Sequence, residues 1–229
     1  MPKRKVHTVK TALRRLTPKS IVKRRSTRQL FRELADKLGL VYFGFVDQTD
    51  DEHRLIRGIT VSNTHKDHHY TVGTFKGYDV SLTIRRDAIE YKRAKFRDHY
   101  WTIVTADFHT RFDLPHLFIG NKKAEADHHT KLGHLTKLSF GSYAPHPVSF
   151  LQKYDVYGRM THAQIIEMLL TPQLTEGIVQ HFDGASLEIQ DNTLYVYASE
   201  RHPTRPALEK MLNNALWMVE SIDHRLSKN

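Results

Sequence analysis

The chain has 229 residues, no cysteine and a formal net charge of +10 at pH 7. The absence of cysteine excludes disulfides, iron–sulfur clusters, thiol nucleophiles and cysteine-ligated zinc. No apolar run approaches the about 18 residues of a transmembrane helix, and nothing apolar follows the basic start, so neither a membrane span nor a secretory signal is expected. The length suits one or two domains with a buried core.

The positive charge is concentrated at the N-terminus. Residues 1–28 hold 11 of the 35 lysines and arginines and none of the 25 acidic residues, which leaves residues 29–229 with a net charge of −1. We therefore predict a flexible basic arm over residues 1–28 and a single domain over residues 29–229. The predicted polyanion-binding residues are the basic residues of the arm: Lys3, Arg4, Lys5, Lys10, Arg14, Arg15, Lys19, Lys23, Arg24, Arg25 and Arg28.

The arm is partly amphipathic. The apolar residues from Val6 to Leu16 fall on one face of a helix, and Pro18 ends that segment or starts a new turn. Three interpretations are open: a solvated tail, an arm that binds anionic lipid or nucleic acid, and a removable transit peptide for organelle import. The apolar face favours an anionic membrane surface, and the lack of an aromatic residue before Phe31 argues against base stacking.

The sequence of residues 29–108 predicts one helix followed by several strands. Leu30, Leu34 and Leu38 form an apolar stripe that predicts a helix over residues 29–39, stopped by Gly39. The aromatic run Tyr42, Phe43 and Phe45 is typical of a core strand. The predicted strands are residues 40–46, 56–61, a hairpin over 70–85, and 99–108, with polar connections at 62–69 and 87–98.

The second part predicts more helices. The predicted elements are a short strand at 117–119, a polar loop at 120–134, a strand at 150–157, a helix from Thr161 to Leu170, a helix from Pro172 with Thr171 as its N-cap, a hairpin around Asp191-Asn192, and a helix over about 206–226. The order of elements shows no regular βαβ alternation. We therefore predict an α+β fold: a mostly antiparallel sheet packed with helices in the C-terminal half, with a long C-terminal helix.

Some of these segments follow one another in a familiar pattern. The pattern consists of Phe150–Tyr157, Leu170-Thr171-Pro172, Leu187–Gln190 and Leu194–Tyr197, with an earlier hairpin of Gly73–Gly77 followed by alternating Val80, Leu82 and Ile84. It resembles an uncharacterised bacterial family, the domain of unknown function 3137. The resemblance implies an α+β domain that is sometimes membrane-associated, and it supplies no catalytic residue. Members of that family often carry transmembrane segments upstream, where this chain has the basic arm.

The chain contains 16 histidines, some of them clustered. The clusters are His65, His68 and His69, beside Asp67, and His128, His129 and His134, beside Asp127. Imidazole and carboxylate groups could bind Zn²⁺ if the two segments met, which would make a His-dependent metalloprotein, a hydrolase among the options. Neither cluster has the spacing of a helical metal motif, so the prediction is surface histidines without a cofactor, with zinc as the alternative.

No catalytic residue is predicted. The sequence has no nucleophile elbow, no phosphate-binding P-loop and no dinucleotide-binding fingerprint. We therefore predict a non-enzymatic binding or scaffold module that is cytoplasmic, peripheral to a membrane, and attached to a polyanionic surface by its arm. A further alternative is an assembly module whose C-terminal helix pairs with another protein or a second copy.

Overall fold

A computed structural model describes residues 18–47, 66–91, 95–123, 132, 135–141, 144–199 and 202–228. The side chains of residues 18–25, 46–47, 66, 88–91 and 95–97 lie outside that description. The described strands are β1 (Val41–Asp47), β2 (Lys66–Phe75), β3 (Tyr78–Tyr91), β4 (Lys95–Asp107), β5 (Leu117–Asn121), β6 (Thr136–Lys137), β7 (Tyr154–Gly158), β8 (Ser186–Gln190) and β9 (Thr193–Ala198). The described helices are α1 (Pro18–Leu38), α2 (Val148–Lys153), α3 (Ala163–Leu169), α4 (Pro172–His181) and α5 (Arg205–Leu226).

These strands form one antiparallel sheet in the order β1-β2-β3-β4-β9-β8-β5-β7-β6. Helix α1 packs against strands β1 and β2, and helix α5 packs against strands β4 and β9. Residues of both helices belong to the main core. An ion pair of 2.9 Å between Lys37 and Glu209 joins these two helices. The α+β class, the antiparallel sheet and the long C-terminal helix are confirmed, and α1 adds a long helix at the N-terminal side.

The sheet has an apolar face and a more polar, aromatic face. Val104 and Ala106 of β4 pack with Phe31 of α1 and Leu212 of α5 in the main core. Because side chains alternate along a strand, the intervening Ile103 points the opposite way. It packs in a second cluster of buried residues on the other face: Tyr70, Trp101, Phe118, Leu132, Leu135, Tyr157, Tyr195 and Tyr197.

Local signals account for several element boundaries. Thr171 caps α4, since its side chain accepts a hydrogen bond from the backbone N–H of Leu174. Thr204 caps α5 in the same way through the N–H of Ala207. The hairpin between β8 and β9 turns at Asp191 and Asn192, whose φ angles of 51° and 54° suit a two-residue type I′ turn.

Helix α1 begins at Pro18 rather than at the predicted residue 29. Residues 18–28, which the charge pattern assigned to the arm, therefore form the first half of this helix, while residues 1–17 lie outside the described residues. Thr27 and Phe31 are buried on this helix. Because the helix packs on the sheet, it includes residues before position 29, where the charge pattern placed the end of the arm.

The predicted exposed connection at 87–98 is wrong. Strand β3 continues to Tyr91 and β4 begins at Lys95, and the pairing runs from Asp87 opposite His99 to Tyr91 opposite Lys95. Charged residues are tolerated in paired strands where oppositely charged side chains meet across the strand pair. Here Arg86 Nη2 of β3 donates hydrogen bonds to the two carboxylate oxygens of Asp98 in β4, at 2.7 and 2.8 Å. Cross-strand pairing, which the local sequence does not show, extends this hairpin.

Three other boundaries differ from the predictions. Part of the predicted polar connection at 62–69 belongs to β2, which begins at Lys66. The predicted strand at 150–157 divides into α2, ending at Lys153, and β7, beginning at Tyr154. Thr161 lies inside a 3₁₀ turn, Met160–His162, so it does not cap α3. The predicted strand at 56–61 lies outside the described residues.

Candidate functional site

Helix α1 and edge strand β1 enclose a surface cleft of about 370 Å³, which we name the α1–β1 cleft. Its lining residues are Arg28 and Arg32 from α1, Tyr42, Phe43, Gly44 and Phe45 from β1, and His68 and His69 from β2. The lining combines two guanidinium groups with aromatic rings. Among the described residues, this lining includes no aspartate or glutamate.

The apolar residues of α1 orient the two arginines. Arg28 and Arg32 lie one helical turn apart, so their side chains occupy neighbouring positions on one face. Phe31, Leu34 and Ala35 are almost fully buried against the sheet. Full burial of Phe31 and Leu34 stabilises this orientation by about 1.5–3 kcal/mol each. The rotation of the helix, and with it the position of both guanidinium groups, is therefore determined by the core.

The strands beneath the helix are irregular at the cleft. The β1–β2 register shifts on both sides of Gly44, which has a φ of +81°. The β2–β3 register shifts between His68 and Thr71, and His69 has a φ of 62°, a conformation that non-glycine residues seldom adopt. Bulges of this kind re-aim side chains at the edges of sheets. Here the two irregularities lie at or next to the cleft residues of β1 and β2: one is at Gly44, between Phe43 and Phe45, and the other follows His68.

His69 is neutral at physiological pH. Its Nδ1 is hydrogen-bonded to the Tyr42 hydroxyl at 2.9 Å, and its ring stacks on Phe31 with centroids 5.2 Å apart. Burial lowers the pKa of His69 to about 4, and repulsion from the nearby basic groups of His68, Arg28 and His202 adds to the effect. The groups that perturb this imidazole are all cationic or able to become so, which indicates a positive local potential.

Tyr42 lies between the two arginines. Burial raises the pKa of the Tyr42 phenol, although the charges of Arg28 and Arg32 oppose that rise, so the hydroxyl keeps its proton at neutral pH. The Arg32 guanidinium lies over the Tyr42 ring, 5.5 Å from its centroid. Among the described residues, neither Arg28 nor Arg32 forms an ion pair with a carboxylate. Within the part of the chain that the structure describes, no carboxylate therefore neutralises either guanidinium group.

A row of large apolar side chains is exposed beside these charges. Val41, Phe43 and Phe45 of β1 are 55%, 59% and 52% exposed. The sequence predicted the aromatic run as core, and for Phe43 and Phe45 this is wrong, since both side chains are more than half exposed on β1, the end strand of the described sheet. Only Tyr42 of the run packs against the main core.

The structure describes five of the eleven predicted polyanion-binding residues, four of them in backbone only. Arg28 lies in the α1–β1 cleft, and four more residues lie on the α1 backbone, with side chains outside the description: Lys19, Lys23, Arg24 and Arg25. The other six lie outside the described residues: Lys3, Arg4, Lys5, Lys10, Arg14 and Arg15. Sequence reasoning missed Arg32, although its spacing of four residues from Arg28 is a usable signal.

The histidine clusters are described only in part. His68 and His69 lie in β2, whereas His65, His128, His129 and His134 lie outside the described residues. Asp67 is fully buried, with its carboxylate held by Arg85 through two bonds of 2.8 Å, so it serves an ion pair. Within the described ranges, no group of three or more histidines and acids is arranged to hold a metal ion.

A second cleft, of about 680 Å³, lies near the β8–β9 turn. There, His116 Nε2 lies 2.7 Å from Oε1 of the buried Glu188, whose other oxygen accepts a hydrogen bond from the Tyr197 hydroxyl. The lining also carries Asp113 and Arg159. Because acidic and basic groups are mixed in this cleft, it has no clear preference for an anion.

The apolar side of helix α5 packs against the sheet of the same chain. The apolar residues spaced three or four apart along this helix all pack in the main core, and all of them except Met211 are buried: Leu208, Met211, Leu212, Ala215, Leu216, Val219 and Ile222. An assembly surface on this helix would therefore have to use its polar side. Within the described parts of the chain, no helix has both the length and the apolar character to cross a membrane.

Comparisons with known proteins show a shared fold. No protein-family model and no curated protein matches the chain. One similar solved structure is the crystal structure of the mycobacterial trehalose monomycolate transport factor A. The likeness covers 87% of this chain and 94% of that chain, with a TM-score of 0.58 and 13% sequence identity. At that identity the likeness establishes the fold alone.

Proposed function

We propose that this protein is a non-enzymatic binding module that attaches peripherally to an anionic membrane surface through its basic N-terminal segment and the α1–β1 cleft. One observation carries the proposal. Two arginines without a carboxylate partner among the described residues line the same cleft as Phe43 and Phe45, two exposed apolar residues of β1. Cationic groups next to exposed aromatic rings suit the headgroup region of an anionic bilayer.

The charges supply the attraction. Helix α1 carries five basic and no acidic residues between Pro18 and Arg28, continuing the basic run of residues 1–17. Each lysine or arginine near an anionic membrane contributes about 1 kcal/mol, a contribution that salt screens. Several such residues on one helix are enough for binding, and the position of Arg28 and Arg32 at the cleft directs that helix toward the surface.

The apolar side chains supply a contribution that salt does not screen. Val41, Phe43 and Phe45 are each about half exposed, so their transfer into the acyl boundary gains roughly 1 kcal/mol apiece. A phosphate-only interaction with nucleic acid gains nothing comparable. The membrane is therefore the preferred polyanion.

Two resemblances support a location at a lipid surface. The family that the sequence resembles has members that are membrane-associated. The fold neighbour is named for trehalose monomycolate transport, and a lipid surface is compatible with that name. No catalytic role is proposed, because the hydroxyl beside a base among the described cleft residues is that of Tyr42, which is hydrogen-bonded to His69, and burial raises its pKa and does not activate it.

The test uses the full chain in vesicle co-sedimentation, with phosphatidylglycerol vesicles against neutral phosphatidylcholine vesicles at low and physiological salt. We expect binding to the anionic vesicles alone. The variant Phe43→Ser/Phe45→Ser should lose roughly thirtyfold in affinity at physiological salt, given about 1 kcal/mol for each of the two side chains. The matched control is Met160→Ser/Met168→Ser, which removes two exposed apolar side chains away from the cleft and should bind like the parent.

Nucleic acid is tested in parallel with RNA and duplex DNA. Binding to RNA or DNA without binding to anionic vesicles would assign the basic segment to nucleic acid and reject the membrane proposal. Equal loss of vesicle binding in the cleft variant and in its control would show that general hydrophobicity, and not the β1 edge, is responsible.

A further inference from the structure

We infer that the α1–β1 cleft recognises the phosphomonoester group of an anionic lipid headgroup. The inference rests on the proposed function, because it names the lipid chemistry that the same site selects. Arg28 and Arg32 both line the cleft, and no carboxylate lies among the lining residues that the structure describes. Charge alone would favour any anion, so the selectivity has to come from the arrangement of these groups.

Tyr42 positions the two guanidinium groups. Its ring lies 5.5 Å from Arg32, and its hydroxyl interacts with Arg28. The same hydroxyl is fixed from beneath by His69, which is itself stacked on the buried Phe31. A chain of contacts thus runs from the core to both arginines. Groups held in place before the ligand arrives bind with less loss of side-chain entropy.

The positive charge matches a phosphomonoester better than a phosphodiester. A phosphomonoester carries about −1.5 to −2 charges at neutral pH and offers three acceptor oxygens. The phosphodiester of phosphatidylglycerol carries one negative charge and leaves two unesterified oxygens. Two guanidinium forks can each engage a pair of oxygens, a geometry that a lysine ammonium cannot reproduce. The cleft therefore favours the more highly charged headgroup, as in phosphatidic acid.

The surroundings of the cleft favour a lipid as the source of that phosphate. Phe43 and Phe45, each more than half exposed, line the same cleft as the arginines. A volume of about 370 Å³ lies within the range of small-molecule sites, roughly 300–1,000 Å³. An exposed aromatic rim offers nothing to a free phosphate ion, whereas it can contact the glycerol and upper acyl region of a lipid whose phosphate meets Arg28 and Arg32.

The test compares phosphatidic acid vesicles with phosphatidylglycerol vesicles that are matched in surface charge, using the full chain. We expect the parent to bind phosphatidic acid about fivefold or more tightly, the scale of one to two added charge-assisted hydrogen bonds. The decisive variant is Arg28→Lys/Arg32→Lys, which keeps the charge and removes both forks. It should lose the preference for phosphatidic acid, so that the ratio of its affinities for the two lipids falls toward one.

The control variant is Arg111→Lys/Arg159→Lys, which changes two exposed arginines outside the cleft and should keep the preference. Thermal melting confirms that both variants are folded. Equal binding of the parent to the two lipids overturns this inference and leaves the proposed function intact. No binding to either vesicle rejects both. Inorganic phosphate that competes as effectively as phosphatidic acid vesicles overturns the lipid source and assigns the cleft to free phosphate.

Discussion

The substitution Asp67→Asn tests how the polar face of the sheet is stabilised. Asp67 and Arg85 are 0% and 1% exposed, and Nε and Nη2 of Arg85 donate to the two carboxylate oxygens at 2.8 Å each. Burial by itself lowers the pKa of Arg85, but the hydrogen bonds and charge of Asp67, with Asp87 and Tyr197, reverse that effect and raise it. The arginine is therefore charged in the folded protein and depends on this carboxylate.

The expected loss follows from leaving that charge without its main partner. Breaking a buried ion pair by removing one partner costs about 3–5 kcal/mol. Because Asp87 remains close to Arg85, we expect the lower end, about 3 kcal/mol. For a chain of this size that corresponds to a fall of roughly 6–12 °C in Tm. Urea unfolding followed by circular dichroism measures the free energy directly.

The neighbouring pair provides a matched control. Arg86 and Asp98 have a similar contact of 2.7 Å, but their side chains are 25% and 41% exposed. Asp98→Asn should therefore cost less than about 1 kcal/mol. A loss below about 1 kcal/mol for Asp67→Asn, or equal losses for the two variants, would refute the reasoning. The double variant Asp67→Leu/Arg85→Met removes both charges and should be closer in stability to the parent than Asp67→Asn is.

Three further predictions concern packing, capping and pH. Gly177→Ala should destabilise the protein by about 1–3 kcal/mol, because an added Cβ would overlap the Trp217 ring; an unchanged urea midpoint would contradict this. Thr171→Ala should cost about 1 kcal/mol through loss of the cap on Leu174 N–H, while Thr171→Ser should restore most of it. Because burial lowers the folded-state pKa of His69 from 6.5 to about 4, the folded state disfavours the proton, so stability falls as the pH drops from about 6.5 toward 4. His69→Gln should remove on the order of 2 kcal/mol of that fall, after allowance for partial exposure, as measured by urea unfolding at pH 7 and pH 4.5; a parallel pH dependence in both proteins would exclude His69 as its source.

Elements that depend on local chemistry could be read from the sequence. The Thr171-Pro172 step predicted the start of α4, and Asp191-Asn192 predicted the turn of the last hairpin. The helix predicted over about residues 206–226 matches α5, Arg205–Leu226, in position and length. In each case the residues that decide the structure lie within about one helical turn or one tight turn of each other, so the chain carries its own signal.

The extension of the β3–β4 hairpin could not be read in the same way. Its residues are strongly charged, and they form strands because the two segments pair with each other. The exposure of Phe43 and Phe45 likewise depends on the place of β1 at the edge of the sheet. Strand order brings β9 beside β4 and thus decides which residues are covered. The secondary-structure propensity of a short segment carries no information about neighbours that are distant in the sequence.

The sequence by itself determined the segregation of charge, the α+β class and the basic character of the residues that precede Arg28. Only the tertiary structure decided that Arg28 and Arg32 meet Tyr42 and His69 in one cleft, since these residues come from three elements. The physical reason is that composition and helical periodicity are properties of neighbouring residues, whereas a site is made by the packing of α1 on β1 and β2. The burial of Phe31 and Leu34 against the sheet sets that packing and thereby places both arginines.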